Sequence, residues 1–366
     1  MFQTTLALFY FFYFGVVGIY VIFMPKVLSM VGYSASEIGL IFSAAPLVRF
    51  ILPFILSRGI AITKERFNFA LVLMFVSALS FFLTLENFYA LFLSNIAMGV
   101  AMSLILPYIE VLALQRVAKE SYGKIRLFGS IGFIIIALVV VRFLDGAEIA
   151  LSYLSSFALL STLLAYFLSK DSHATKKEQN SLINDINLLK DYKLWLSLAL
   201  MQVSFGAFYN FFTLYETSYG VSLDMTINLW VFGVLVEIVM LYVQGRFLKY
   251  NLITLLEITL GATVVRWALL YLFPTNLAIL FFSQSLHALS FALFYSASIM
   301  YLHQIYTNKV LAQQFFSGIT FGLGGLVGAV MFGYIYELNK ELTFLVASFV
   351  AFVALGFMVM WKRERG

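Results

Sequence analysis

Stretches of about 20 consecutive apolar residues, each long enough to cross a hydrocarbon core as a helix, recur twelve times along this chain of 366 residues. They lie near 4–25, 36–57, 67–85, 88–114, 124–143, 147–168, 194–216, 226–247, 252–273, 276–302, 310–335 and 342–361. The bilayer interior offers no solvent to unpaired backbone groups, so each stretch must satisfy its own amides, as a helix does. The alternating ten-residue pattern of barrel strands is not seen. Only 11% of the residues are charged and 62% are hydrophobic, whereas a soluble domain carries roughly 25% charged residues. Such a chain cannot cover a water-facing exterior. The expected fold class is an all-α polytopic membrane protein with twelve transmembrane helices. The opening MFQTTLALFYFFYF lacks the basic region and small-residue cleavage site of a signal peptide, and is read as a retained first helix.

Lysine and arginine set the orientation. With the N-terminus cytoplasmic, 18 of the 23 basic residues fall in inner loops or the C-terminal tail and Lys26, Arg142 and Lys340 in outer ones, while Arg49 and Arg266 lie mid-span. This asymmetry fits the positive-inside rule with both termini cytoplasmic, as in a bacterial inner membrane. A shift by one helix would reverse it, so twelve spans are supported a second way. The net charge of +5 is thereby explained by the membrane rather than by nucleic acid.

The one long polar stretch, Ser169 to Lys193, divides the chain into two sets of six helices. The expected organisation is a bundle over 1–168, a cytoplasmic linker over 169–193 and a bundle over 194–366. Leu182, Ile183, Ile186 and Leu189 give the linker either a short amphipathic turn at the membrane surface or the composition of a flexible connector. A faint repeat at an offset of 188 residues relates the halves: Gly18 with Gly206, Gly32 with Gly220, Ser34 with Ser222, Arg58 with Arg246, Phe128 with Phe316 and Phe133 with Phe321. The pattern is that of two six-helix pseudo-repeats.

Ionisable groups inside apolar spans carry the functional signal, because a charge at the bilayer centre costs at least about 2.5 kcal/mol. They are Arg49, Glu110, Glu237, Arg266 and His287, with Arg126 nearer a helix edge in Ser121 to Phe133, SYGKIRLFGSIGF. Under the offset, Arg49 and Glu237 are equivalent, so they either form an ion pair across the halves or face a shared cavity. Glu110 neutralises Arg116 or Arg126, or binds a solute. Arg266 is a candidate partner of Glu237. His287 falls in a polar stripe with Ser283 or Gln284 and with Ser290 at helical spacing. Glu216 is placed near the outer end of the seventh span, and Trp195 and Trp361 are read as membrane-interface anchors. Two further stripes, Tyr10, Tyr13 and Tyr20, and Gln202, Tyr209, Asn210 and Thr213, suit either packing or a ring-bearing solute. Gly123, Gly129 and Gly132, and the glycines from Gly318 to Gly328, offer surfaces for close helix approach.

Enzyme signatures are missing. There is no cysteine, hence no disulfide or thiolate metal site, and neither a phosphate-binding loop nor H-E-x-x-H or G-x-S-x-G is found. No catalytic role, metal or cofactor is expected.

The order of helices, the Tyr122 to Ser130 motif YGKIRLFGS, LVEIV around Glu237, VVRW around Arg266 and SLHALSF around His287 resemble the major facilitator superfamily. More narrowly, they are similar to the branch of lactose permease-like and 3-phenylpropionic acid permease-like proteins. The resemblance implies two parallel six-helix repeats with a solute site between them. It implies substrate binding by Arg126, Glu110, Arg49 and His287, and proton coupling by Glu237, Arg266 and His287. Two positions depart from the sugar-transporting pattern. Ser290 stands where a proton-carrying glutamate is found, which moves the expected proton site to Glu237. The loop Ser57 to Lys64 lacks the usual aspartate. The implied activity is proton-coupled symport of a small organic solute, with aromatic or other organic acids ahead of sugars and nucleosides. The proton gradient is the energy source, and protons, solute and lipid are the only partners of a monomer. A non-transporting membrane sensor or scaffold, its charges locked in ion pairs, is the alternative of another class.

Overall fold

The computed structural model describes residues 2–56, 63–117, 119–170 and 186–365. The loop lacking the aspartate (57–62, with Arg58) and the linker residues His173, Leu182 and Ile183 lie outside the described residues. Twelve helices of membrane-crossing length follow one another: α1 (Phe2–Val31), α2 (Ala35–Ile55), α3 (Lys64–Thr84), α4 (Phe88–Ala113), α5 (Ser121–Phe143), α6 (Ala147–Lys170), α7 (Tyr192–Ser218), α8 (Leu223–Lys249), α9 (Leu252–Leu272), α10 (Leu277–Ile305), α11 (Lys309–Leu338) and α12 (Lys340–Glu364). Each agrees with an expected span to within about three residues, except that α1 continues six residues past its expected end to Val31. No strand occurs among the described residues.

Short polar residues start the helices. The side chains of Thr63, Asn87, Ser222, Asn251, Asn276 and Asn308 each accept a hydrogen bond from a backbone N–H in the first turn, which satisfies a donor with no intrahelical partner. The internal repeat acquires a physical meaning at two of these ends. Gly32 (φ 109°) and Gly220 (φ 87°) are the positive-φ glycines among the described residues, and they terminate α1 and α7 in the left-handed conformation that glycine adopts without strain. Two residues later Ser34 and Ser222 begin the next helix, each hydroxyl accepting from the N–H three residues on. The paired glycines Gly18 and Gly206 mark equivalent crossings. A Cβ on Gly18 would lie 3.0 Å from Ile136 of α5, and one on Gly206 would lie 2.4 Å from the Gly328 backbone of α11.

Helix α11 is glycine-rich on two faces. Gly318, Gly322 and Gly333 meet α2 of the other half, whereas Gly324 and Gly328 meet α7. The expected seam therefore joins both a neighbour and the opposing bundle. In α5 the expectation divides: a Cβ on Gly132 would come within 2.1 Å of the Phe11 carbonyl oxygen in α1, but one on Gly123 meets nothing within 4 Å.

Trp195 and Trp361 are corrected by the structure. Both are buried; the Trp195 indole donates to Tyr306 Oη (3.1 Å) and the Trp361 indole to Tyr301 Oη (2.8 Å). Packing within the second half, rather than a headgroup layer, satisfies their N–H groups. Three helices contain a π-helical stretch: α1 at Ile19–Phe23, α10 at Ala288–Leu293 and α11 at Phe316–Gly324. Each contributes residues to the central cavity described next.

The two ends of the molecule differ. At the end away from the chain termini (the distal end), the last turns of α1 pack on α7 and the Ser36 N–H of α2 donates to Glu337 Oε2 of α11 at 2.8 Å. Contacts between the halves thus close that end. Toward the terminal end, the side chains of Arg126 and Glu110 keep 31% and 36% exposure.

Candidate functional site

Between the halves lies a cavity of about 460 Å³, within the size range of small-molecule sites. Aromatic side chains dominate its wall, among them Tyr13, Phe14, Tyr20, Tyr209, Trp230 and Phe291. Four of the six charged or titratable residues expected at the site line it: Arg49, Arg126, Glu237 and His287. The other two stand one layer back, Glu110 behind Arg126 and Arg266 behind His287.

In the first half, Arg126 Nε lies 3.5 Å from Glu110 Oε1. Its guanidinium also sits over the ring of Phe14 at 4.0 Å and that of Tyr10 at 5.0 Å. Of the two partners open to Glu110 from the sequence, the structure selects Arg126. A planar cation stacked on an aromatic face is fixed in orientation while its donors stay available. Gly129 makes room, since a Cβ there would come 2.7 Å from the Phe14 ring and 2.8 Å from Arg126 Nη1. The Phe14 contribution is one the sequence reading missed, although Tyr10 and Phe14 share a helix face at i, i+4 spacing.

In the second half, Arg266 has no exposed surface. Its Nη1 donates toward His287 Nδ1 at 2.8 Å and Ser290 Oγ at 3.1 Å, and its Nη2 donates to Gln284 Oε1 at 2.8 Å. The rings of Phe208 (4.4 Å) and Trp267 (4.5 Å) cover its faces. His287 Nε2 in turn lies 3.4 Å from Glu237 Oε2. A guanidinium can only donate, so Nδ1 must be the accepting nitrogen of His287 and Nε2 carries the hydrogen toward Glu237. The expected direct Glu237–Arg266 pair is thus replaced by a three-residue relay, because the imidazole fills the space between carboxylate and guanidinium. The stripe Gln284, His287 and Ser290 proves to be the polar coat of Arg266.

Arg49 is different again. It lines the cavity from α2 and makes no ion pair within 4.0 Å among the described residues, so the cross-half Arg49–Glu237 pair is not formed. With Arg126 set against Glu110, and Arg266 against Glu237 through His287, the cavity charge that lacks a counterpart is Arg49's.

The aromatic stripes divide similarly. Tyr13 and Tyr20 line the cavity; the Tyr13 hydroxyl donates to the Met102 carbonyl at 3.1 Å and that of Tyr20 to Asn95 Oδ1 at 2.6 Å. Tyr10 is buried beneath Arg126. Gln202, Tyr209 and Asn210 line the cavity, whereas Thr213 accepts from the Trp230 indole at 3.1 Å. Among the described residues, no cluster of His, Cys, Asp or Glu has metal-binding spacing.

The chain matches the MFS_1 like family over residues 3–346. It is 26% identical over 365 residues to a probable 3-phenylpropionic acid transporter of Escherichia coli (strain K12), covering 96% of this chain and 95% of that one. It is 25% identical to the uncharacterized transporter YwbF of Bacillus subtilis (strain 168), over 83% of this chain and 79% of that one. In fold it is similar to the crystal structure of the nucleoside transporter NupG, with a TM-score of 0.81 at 18% identity over 99% of both chains. A bacterial homologue of the lysosomal transporter Spinster superposes with a TM-score of 0.67 at 12% identity, over 99% of this chain and 96% of that one. With its twelve helices in two six-helix halves around a central cavity, the chain belongs to the MFS_1 like family and is a multi-pass membrane transporter of the major facilitator fold.

Proposed function

We propose that this transporter carries a small organic acid, aromatic acids foremost, together with protons. The carrying observation is Arg49: a cation without an ion-pair partner, facing an aromatic-walled cavity. A carboxylate solute supplies the missing negative charge, and its ring finds flat apolar surface on the walls. Arg49 and Arg126 then bind the carboxylate, with Glu110 orienting Arg126 and His287 reaching the solute from the opposite half. The relative named for 3-phenylpropionic acid supports the same class.

Glu237, His287 and Arg266 form the proton-coupling unit in this reading. Glu237 takes a proton, its hold on His287 weakens, and the imidazole becomes free to turn toward the solute while Arg266 stays anchored by Gln284 and Ser290. The bundles 1–168 and 194–366, joined by the linker 169–193, rock about the site, and proton loss restores the relay. We place the chain, as a monomer, in a bacterial inner membrane with both termini cytoplasmic, which makes the distal end external. No cofactor enters the cycle; the proton gradient drives it. A nucleoside or sugar remains the second solute class, since the aromatic walls accept a base or a pyranose face as well.

The test is purified protein in liposomes, offered 3-phenylpropionate, benzoate, a nucleoside and a galactoside with and without an inward proton gradient. Gradient-driven accumulation of the aromatic acids, lost in Glu237→Gln, is the expected result. Uptake of the neutral solutes only, or full uphill uptake by the Glu237→Gln protein, overturns the assignment.

A further inference from the structure

One ionisable group takes no part in the site as described, and it is the most deeply buried carboxylate among the described residues. Glu216 was expected at the membrane interface. The structure gives it no exposed surface, and neither Oε1 nor Oε2 has a hydrogen-bond partner. It lies in the last turns of α7, seven residues from Tyr209 and fourteen from Gln202, both of which line the cavity. Residues at that spacing share one helix face, so Glu216 sits about 10 Å beyond Tyr209 toward the closed distal end.

Helices α1, α2, α8, α11 and α12 pack against α7, and α9 touches it where Tyr215 Oη donates to the Leu270 carbonyl. The charged groups at their distal ends are Lys26, Glu37, Asp224, Glu337, Lys340 and Glu341, and the phenols are Tyr33, Tyr271, Tyr334 and Tyr336. None makes an ion pair or hydrogen bond with Glu216. On its own helix the titratable neighbours are the phenols of Tyr215 and Tyr219. Both oxygens are thus buried with neither a counter-charge nor a hydrogen-bond donor, an arrangement that is costly for an anion.

Packing does not require an acid here. Glu216 precedes the helix-ending Gly220 by four residues, and the residue with the same relation to Gly32 in the other half is Leu28, which is equally buried. One half fills the position with a leucine and the other with a titratable group of similar length. We propose that Glu216 is a second proton-binding site, placed in the distal gate. It holds a proton while that end is closed and releases it to solvent when the gate opens. The inference rests on the alternating-access reading but not on the identity of the solute.

The sign follows from linkage. The open state binds fewer protons at Glu216, so raising the pH favours distal opening, by up to about tenfold in the open-to-closed ratio per pH unit for one proton. The chain has no cysteine, so a single Val27→Cys substitution, buried in the closed distal end, reports opening by its rate of maleimide labelling. Because the reactive thiolate fraction itself grows with pH, each rate is divided by that of Glu86→Cys, exposed in a distal loop, at the same pH; in liposomes without solute this ratio is expected to rise by at least about tenfold from pH 6 to pH 9. The ratio should stay low and flat in Glu216→Gln and in Glu216→Leu, the latter borrowing the residue of the other half. A flat profile in the parent, or a rise that survives in both variants, overturns the proposal. So does a rise abolished by Glu237→Gln and untouched by Glu216→Gln, which assigns the proton to the central relay. A different failure, with cysteines at neither end changing their labelling under any pH or solute, tells against alternating access itself.

Discussion

Each half holds an arginine beside the same cavity, Arg126 on its wall and Arg266 one layer behind it, and they hold it in opposite ways. Arg126 is partly exposed, leans on a carboxylate at 3.5 Å and lies on an aromatic ring. Arg266 is fully buried and bonded only to uncharged atoms of His287, Ser290 and Gln284; its counter-charge, Glu237, is reached through the imidazole. An exposed pair is loosely held because water competes for both partners. A buried cation with both terminal nitrogens bonded is structurally committed, since each donor left unmatched costs free energy, as its unpartnered Nε already does. The difference separates a group suited to exchanging partners with a solute from one suited to sensing the charge of its neighbours. Glycine shapes the first half, where Gly129 lets Arg126 and Phe14 meet; side-chain amide and hydroxyl groups shape the second.

Substitutions can break this contrast. Removing the buried member should have the largest effect. Arg266→Leu strands the acceptors of Gln284 and His287 and leaves Glu237 without its distant counter-charge. We expect loss of about 3 kcal/mol of stability, read as an unfolding transition shifted to lower temperature in detergent, with transport abolished. Retained stability would mean the coat needs no cation. Next, Arg126→Lys keeps the charge but loses the planar stack on Phe14 and the two-pronged donor geometry. A solute affinity lowered by roughly tenfold with unchanged stability is expected, measured by binding to purified protein; an unaltered affinity would deny Arg126 the solute. The smallest effect belongs to Glu110→Gln, which breaks a pair already a third exposed. Stability should fall by less than about 1 kcal/mol, while the response of uptake to a proton gradient proposed above persists. A loss as large as that of Arg266→Leu would make the two sites equivalent after all.

Much of this was legible in the residues. The twelve spans follow from length and apolarity alone, and the 188-residue offset marks real structural equivalences: Gly32 with Gly220 as left-handed helix ends, Ser34 with Ser222 as caps, and Phe133 with Phe321 on the cavity wall. Buried charges announced themselves because lipid makes them costly. What one-dimensional spacing cannot carry is depth and order of contact. Glu237 and Arg266 had to compensate one another, yet whether they touch or speak through His287 depends on the distance between α8 and α9. Glu216 sits near the start of the next helix, which reads as a surface position; only the packing of neighbouring helices around the end of α7 makes it an interior one. Trp195 and Trp361 mislead for the same reason, since a tryptophan near a span end has either a headgroup or a tyrosine hydroxyl to bond.

The π-helical stretch at Ala288–Leu293 has a consequence for how α10 can vary. A π turn accommodates an extra residue relative to a regular helix, so the parts before and after it are out of phase by about 100°. Gln284 and His287 precede it and face Arg266; Tyr301 follows it and accepts from Trp361. Deleting one residue between 288 and 293 would leave an unbroken α-helix of good local geometry, yet the two faces could no longer both be met. The segment tolerates a change of side chain more readily than a change of length.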